Sequence, residues 1–208
     1  MKTNDIVGLG NTLMDFLIEV EDSKLSQLNL NKGEFHLVDE FKAREFLKKI
    51  EEENLDLKIV PGGSSANCLK GVSLLGGKAI ICGRVGFDKH GQQYIQKMKE
   101  MGVDTRIKPH HLVTGHAITL ITPDAQRTFC VHLGAALEFG PDDIFEDDIK
   151  KSKILHLEGY QIEGKSKDAL LHAVYLAKKH DTLVSMDLAD CGVIRRNLDF
   201  LKNLVFPH

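Results

Sequence analysis

The sequence predicts an α/β fold of three layers, in which a mostly parallel sheet is flanked by helices and a small β lid covers one end. Strand-like and helix-like segments alternate along most of the chain, which favours parallel strands joined by helices. A β-rich stretch interrupts this alternation in the middle of the sequence and indicates the lid. The composition, with 42% hydrophobic and 27% charged residues among 208, is that of a globular protein. It suffices for the core of one α/β domain over residues 1–208.

The regular elements follow in chain order from hydrophobic periodicity and turn residues. Apolar residues recur at helical spacing between Val38 and Glu53, which predicts the first long helix. Asp88 precedes a second helical pattern, and we expect it to cap that helix. The predicted strands are 5–10, 16–20, 78–83, 154–157 and 182–188, and the later predicted helices are one opened by Ser65, then 90–101 and 165–179.

The predicted lid contains a hairpin. Two β-rich segments, 116–121 and 127–133, are joined by Thr122-Pro123-Asp124-Ala125-Gln126, which has the composition of a turn. With the strand over 16–20 this hairpin forms a small sheet, so we expect lid elements around residues 16–37 and 112–134. Such a sheet would cover the crevice at the carboxyl ends of the parallel strands, where ligands bind in α/β folds.

A ligand-facing turn is predicted at Pro61-Gly62-Gly63-Ser64-Ser65-Ala66-Asn67, where an apolar segment leads into a helix. Adjacent glycines let the backbone adopt positive φ and approach a small molecule. Ser64 or Ser65 is expected to cap the helix, and the Asn67 amide offers a donor and an acceptor to a polyhydroxyl ligand. A tight strand-to-helix connection that binds nothing would account for the same residues.

Neither common nucleotide-binding motif is present. The dinucleotide fingerprint is met at Gly8 and Gly10 and missed at Leu13, and a β-rich run follows it instead of a helix. The P-loop pattern fails because Gly77 stands where lysine is required.

Charge and composition exclude several other classes of protein. The net charge of -3 provides no electrostatic footprint for nucleic acid. No run is long enough for a membrane span and the amino terminus does not resemble a leader, so a cytoplasmic protein is expected. The 10 histidines show no metal-ligand spacing, so we expect no metal site and expect them at the surface or hydrogen-bonded in the core. The four cysteines, at 68, 82, 130 and 191, are expected to be buried small hydrophobes.

The sequence contains three glycine-containing motifs, which are Gly8-x-Gly10-Asn11-x-Leu13-x-Asp15, Gly62-Gly63-Ser64-x-x-Asn67 and Gly83-x-Val85-Gly86-x-Asp88-x-x-Gly91. In order and spacing they resemble motifs of the ribokinase-like (PfkB) family of sugar and nucleoside kinases. The hairpin turn, Gly134-Ala135, Glu158-Gly159-Tyr160 and Asp187-Leu188-Ala189 are similar to later family segments. The Asn-x-Leu-x-Asp and Asp-Leu-Ala forms are most similar to the adenosine-kinase-like branch.

The resemblance implies a sugar or nucleoside substrate. In the family, the residues matching Asp15 and Asn67 hydrogen-bond the hydroxyls of the sugar ring, and the residue matching Asn11 lies in the same pocket. Leu13, Gly62, Gly63 and Ser64 belong to the same two motifs and are expected to line the site.

Two further residues keep alternative roles. Arg127 is either a lid residue near the substrate or an exposed cross-strand partner. Asp187 either faces phosphates and a metal through water or caps a helix beginning near Asp190.

The resemblance also implies ATP and Mg²⁺, because the family transfers a phosphoryl group to a hydroxymethyl group of the ring. The family base and anion hole come from a later Gly-Ala-Gly-Asp segment, and an Asn-x-x-Glu segment serves metal and phosphate. We find neither at a later position, and Gly134-Ala135-Ala136-Leu137 lacks the aspartate. The chain is therefore expected to be the substrate-binding part of a kinase without a catalytic residue of its own, or an inactive sugar- or nucleoside-binding module. The apolar run from Leu204 suggests that another strand begins, so we also expect an exposed sheet edge and association through that edge or the lid.

Overall fold

A computed structural model describes residues 1–53, 55–189 and 191–205. The strands are β1 (Asn4–Leu9), β2 (Met14–Glu19), β3 (Phe35–Leu37), β4 (Leu57–Pro61), β5 (Ala79–Gly86), β6 (Val103–His110), β7 (Thr114–Ile121), β8 (Arg127–Gly134), β9 (Ser152–Glu158) and β10 (Leu183–Asp187). The α-helices are α1 (Asp22–Gln27), α2 (Glu40–Glu52), α3 (Ser64–Leu74), α4 (Lys89–Glu100), α5 (Glu146–Lys151), α6 (Ser166–Lys179), α7 (Cys191–Arg196) and α8 (Leu198–Val205). Three short 3₁₀ helices span Ala135–Glu138, Pro141–Asp143 and Gly159–Ile162.

The first sheet is entirely parallel and has the strand order β10-β9-β1-β5-β6. Its side chains alternate between two cores because successive residues of a strand point to opposite faces. Ile6 belongs to a core that includes Leu69 of α3, whereas Val7 belongs to a core that includes Leu170 of α6. A layer of helices therefore covers each face, and the predicted three-layer α/β architecture is confirmed.

The second sheet has the strand order β3-β8-β7-β2-β4 and mixes parallel with antiparallel pairs. The predicted hairpin is confirmed as β7 and β8, which pair antiparallel from Thr114 opposite Gly134 to Ile121 opposite Arg127. One face of this sheet buries Met14 and Phe16 in the same core as α4. This sheet occupies the stretches assigned to the lid, and its role as a lid stays a prediction.

Several sequence-based expectations about elements were incomplete or wrong. Strand β6 was not predicted; it lies at an edge of the first sheet, where its Pro109 is tolerated. The expected strand start at Leu204 was wrong, because residues 204 and 205 end helix α8, and 206–208 lie outside the described residues. Asp88 does cap α4, since its Oδ1 accepts a hydrogen bond of 2.9 Å from the Gly91 N–H.

The expectation that all cysteines are buried was also wrong. Cys82 and Cys130 are buried, but Cys68 and Cys191 are exposed. Within the described part of the chain, no helix is both long enough and apolar enough to span a membrane.

Two histidines, His90 and His116, depart from the expected hydrogen bonding. His116 is buried, but its Nε2 has no hydrogen-bond partner within the described part of the chain, and the buried Nδ1 of His90 also lacks one there. Both rings meet Phe16 edge-on, with centroids about 5.5 Å away. Burial lowers the pKa of His116 to about 4, so its ring is neutral in the core at physiological pH. The expectation that core histidines are hydrogen-bonded was therefore wrong at these two nitrogens.

Candidate functional site

The candidate site lies where the chain passes from the first sheet to the second. Strand β1 ends at Leu9 in the first sheet, and β2 begins at Met14 in the second, so residues 10–13 connect the two. The turn between β4 and α3 is fixed to this connection by a hydrogen bond of 2.7 Å from the Gly62 N–H to the Leu13 carbonyl. Two loops from distant parts of the sequence thus meet at one place.

Both glycines of the β4–α3 turn are required by close contacts. A Cβ on Gly62 would lie 2.0 Å from Oδ1 of Asp15, and a Cβ on Gly63 would lie 2.3 Å from the Asn11 carbonyl oxygen. Gly63 also has a φ of 91°, which L side chains rarely adopt. The Asp15 carboxylate is therefore seated against the backbone of the turn, which brings together Asn11, Asp15 and the two glycines.

Asp15 is a half-buried carboxylate with unused hydrogen-bond capacity. None of the residues that the structure describes donates a hydrogen bond to it. Burial raises its pKa to about 6, while the positive charges of Lys70 and, more weakly, Arg127 act in the opposite direction. At neutral pH this side chain is ionised and can accept donors from a ligand.

Glu158, at the end of β9, ties the parts of the site together. Its Oε1 accepts a hydrogen bond of 2.8 Å from Ser64 Oγ and another from the Ser65 N–H, and the Asn11 N–H also donates to this carboxylate. The side chain is only 1% exposed, and burial raises its pKa to about 7. These contacts hold the first turn of α3 and the β1–β2 connection to the first sheet.

The expectation that Ser64 or Ser65 caps α3 was wrong. The N-cap residue is Gly63, and Ser64 Oγ donates to Glu158. Ser65 Oγ is buried and has no hydrogen-bond partner among the residues that the structure describes. A carboxylate is a stronger acceptor than a hydroxyl at a helix N-terminus, where it also meets the positive end of the helix dipole. Sequence reasoning assigned no role to Glu158; its one local signal is a carboxylate that ends a buried apolar strand.

The face of the second sheet that carries Asp15 is apolar and aromatic. Asp15 pairs with Ala117 of β7, which pairs with Val131 of β8, so these side chains share a face. Further along this face, the rings of Phe35 and Tyr160 stack with centroids 5.8 Å apart. Leu13 packs with Ala117 and Val131, and its expected place in the lining of the site stays a prediction.

The remaining predicted site residues lie on α3, β8 and β10. Ser64 and Asn67 are exposed on the first turn of α3. Arg127 is exposed at the far end of β8, with its guanidinium 5.9 Å from the centre of the Phe129 ring. Asp187 pairs in register with Glu158, but its Oδ1 accepts a hydrogen bond of 2.9 Å from the Ala189 N–H. Asp187 thus caps a turn before α7, and this helix begins at Cys191, next to the start expected near Asp190.

The residues present do not fit a Mg²⁺ site of their own. Among residues 1–53, 55–189 and 191–205, no group of three or more His, Cys, Asp or Glu side chains could hold a metal ion. An Asn-x-x-Glu string does occur at Asn31–Glu34, but its Asn31 Nδ2 donates to Glu34 Oε2 in an exposed turn. The described residues therefore provide no metal-binding set of their own.

A surface cavity elsewhere contains none of the predicted site residues. Its lining includes Glu19, Glu21, Lys24, Glu53 and Thr122, at the opposite end of β2 from Asp15. The Lys24–Glu53 ion pair borders it.

Comparisons with known proteins identify the family of the chain. Residues 37–201 match the family model described as pfkB family carbohydrate kinase. The chain is 30% identical over 186 residues to adenosine kinase of Saccharomyces cerevisiae, an alignment that covers 86% of this chain and 54% of that protein. It is 33% identical over 152 residues to 5-dehydro-2-deoxygluconokinase of Geobacillus kaustophilus, covering 70% of this chain and 45% of that protein.

Solved structures show the same relationship. A probable sugar kinase protein from Rhizobium etli matches with a TM-score of 0.89 and 28% identity, over 97% of this chain and 61% of that one. Adenosine kinase from Sinorhizobium meliloti matches with a TM-score of 0.88 and 28% identity, over 97% of this chain and 62% of that one. The chain spans about half the length of the curated relatives it matches.

Proposed function

Because the chain belongs to the pfkB family of carbohydrate kinases, we propose that it forms the substrate-binding part of an ATP-dependent sugar or nucleoside kinase. The whole enzyme would transfer a phosphoryl group to a hydroxymethyl group of the sugar ring. In this role the chain would recognise the ring hydroxyls and would contribute no catalytic base. ATP would be the phosphate donor, and Mg²⁺ would accompany it. We assign no metal ligands among the described residues.

The observation that carries the proposal is the Asp15 carboxylate, which is half-buried, ionised at neutral pH and without a hydrogen-bond donor among the described residues. Two vicinal hydroxyl groups can each donate to one of its oxygens. Hydrogen bonds to a charged group contribute about 1.5–3 kcal/mol each. A ligand without those hydroxyls would leave a desolvated carboxylate unpaired, so the site would discriminate strongly against deoxy analogues.

A nucleoside fits the surroundings of Asp15 better than a bare sugar does. The same face of the second sheet continues from Ala117 and Val131 to the stacked rings of Phe35 and Tyr160. Phe35 is 41% exposed, so this aromatic surface is open to contact. A flat base attached to the ring could lie against it and bury apolar area.

Calorimetric titration with adenosine, ribose and fructose tests the proposal. We expect heat of binding with adenosine and weaker binding with 2′-deoxyadenosine and 3′-deoxyadenosine. Asp15→Asn should weaken adenosine binding by about tenfold or more, because the uncharged amide is a poorer acceptor for the two hydroxyls. Asp147→Asn is the matched control, since that aspartate is exposed in an ion pair on α5. Equal affinity of Asp15→Asn and wild type, or no heat with any ligand, would contradict the proposal.

The alternative is an inactive module that binds a sugar or nucleoside and performs no transfer. Its support is that the sequence shows no Gly-Ala-Gly-Asp segment, from which the family base comes. Incubation of this chain with radiolabelled ATP, Mg²⁺ and adenosine tests the assignment that both functions share, which is the lack of a catalytic base. We expect no labelled product, and turnover would show that the assignment of no catalytic base is wrong.

A further inference from the structure

Lys70 occupies the joint between the β4–α3 turn and the second sheet. It lies on α3, one turn after Asn67, and its Nζ donates a hydrogen bond of 2.8 Å to the Pro61 carbonyl. Pro61 pairs with Met14, the residue before Asp15, and directly precedes Gly62. The half-buried ammonium group is therefore fixed beside the two loops that meet at the candidate site.

The charge of Lys70 acts on Asp15 without occupying its oxygens. No direct ion pair joins the two side chains in the described part of the chain, because the ammonium group is held by the Pro61 carbonyl. The influence is nevertheless mutual: Lys70 lowers the pKa of Asp15, and Asp15 raises that of Lys70 against the effect of burial. Both carboxylate oxygens thus stay available to a ligand.

Other charged and titratable groups reach Asp15 less strongly. Arg127 of β8 lowers the pKa of Asp15, but its effect is smaller than that of Lys70, and its side chain is exposed to screening by solvent. Tyr94 of α4 is fully buried and donates to the Gly62 carbonyl at 3.1 Å. Burial and the negative charges of Glu158 and Asp15 raise the pKa of Tyr94 well above its usual range, so it stays neutral.

We propose that Lys70 is a positioning residue of the substrate site, which keeps the Asp15 carboxylate ionised and the Gly62–Gly63 turn in place for a ligand's hydroxyl pair. This inference rests on the proposed function. A protonated Asp15 would lose an acceptor for one hydroxyl, so the counter-charge determines how far below neutral pH the site still binds. Sequence reasoning missed Lys70, because nothing local distinguishes it from the other lysines.

Titration of the Asp15 side chain by carbon-13 NMR tests the electrostatic role without a ligand. In wild type we expect a midpoint near pH 6. Lys70→Met should raise the midpoint by about one pH unit, whereas Lys70→Arg should preserve it. Lys97→Met is the matched control: Lys97 Nζ donates at 3.0 Å to the Ile59 carbonyl of the same strand, and we expect no change in the midpoint.

Calorimetry with adenosine then links the midpoint to binding. A midpoint raised by one unit leaves about a tenth of the carboxylates ionised at pH 6 against about half in wild type. Lys70→Met should therefore lose about fivefold more affinity at pH 6 than at pH 8, because loss of the hydrogen bond to Pro61 acts equally at both pH values. Lys70→Arg should match wild type at both values.

The possible results distinguish a failure of the positioning role of Lys70 from a failure of the proposed function. An unmoved Asp15 midpoint in Lys70→Met, an equal shift in Lys97→Met, or failure of Lys70→Arg to restore the midpoint would overturn the role of Lys70 while wild type still binds. Absence of adenosine binding to wild type would overturn the proposed function together with the positioning role. If Lys70→Met does not fold, Asp15→Asn serves instead: the Lys70 midpoint should fall, and an unchanged value would overturn the inference.

Discussion

Replacing Glu158 by Gln should remove a large pH-dependent contribution to folding stability. The pKa of this carboxyl rises from 4.5 to about 7, chiefly because burial disfavours its charge. A group whose pKa is higher in the folded state holds its proton more tightly when folded. Its stabilising contribution is complete below pH 4.5 and is lost as the pH rises through 7.

The size of the contribution follows from these two pKa values. The interval corresponds to about 3 kcal/mol at about 1.4 kcal/mol per pH unit. Glutamine is uncharged at every pH, and its amide oxygen can still accept from Ser64 Oγ and the Ser65 N–H. The variant should therefore gain stability relative to wild type by about 2–3 kcal/mol between pH 5 and pH 8.

Urea unfolding of both proteins at pH 5 and pH 8 measures this difference directly, provided that the transitions are two-state. Glu52→Gln, at an exposed position on α2, controls for the loss of one surface charge, and its effect should stay within about 0.5 kcal/mol at both pH values. An effect of Glu158→Gln that is the same at pH 5 and pH 8 would refute the reasoning, because the carboxyl would then titrate alike in the folded and unfolded chain.

Two further changes test packing and association. Gly62→Ala should lower the free energy of unfolding by about 1–3 kcal/mol, because the new methyl group would meet the Asp15 carboxylate. Gly71→Ala should raise the free energy of unfolding by about 0.5–1 kcal/mol, because a methyl group there would have no atom within 4 Å. Similar urea midpoints for these two variants would contradict the close contact. Val184 is 44% exposed and lies on the outer strand β10. Val184→Lys should therefore shift the molecular mass measured by light scattering towards that of the monomer. A wild-type protein that is monomeric at every concentration would contradict association through this edge.

The sequence was sufficient where short-range rules decide the structure. Asp88 caps α4 through the N–H three residues later, and the β7–β8 hairpin follows from its own turn. The glycine pair at Gly62 and Gly63 was recognised because adjacent glycines before a helix are informative by themselves. Each of these features depends on residues within a few positions of one another.

The parts of the site that escaped prediction depend on contacts between distant residues. Glu158 caps α3 from 93 positions away, and a local rule therefore favoured the serines instead. The influence of Lys70 on Asp15 requires β2, β4 and α3 to be assembled first. Strand β6 was missed because much of it is only partly buried, so its pattern lacks the continuous apolar run of a central strand.

The lysines that donate hydrogen bonds to β4 also affect how two copies of the chain can associate. β4 is the outer strand of the second sheet, and Lys97 and Lys70 occupy the carbonyls of Ile59 and Pro61. A strand whose carbonyls are already engaged offers little to the backbone of a neighbour. β10 is the outer strand of the other sheet, so pairing of two molecules through β10 would leave β4 and the Gly62–Gly63 turn that follows it uncovered in each.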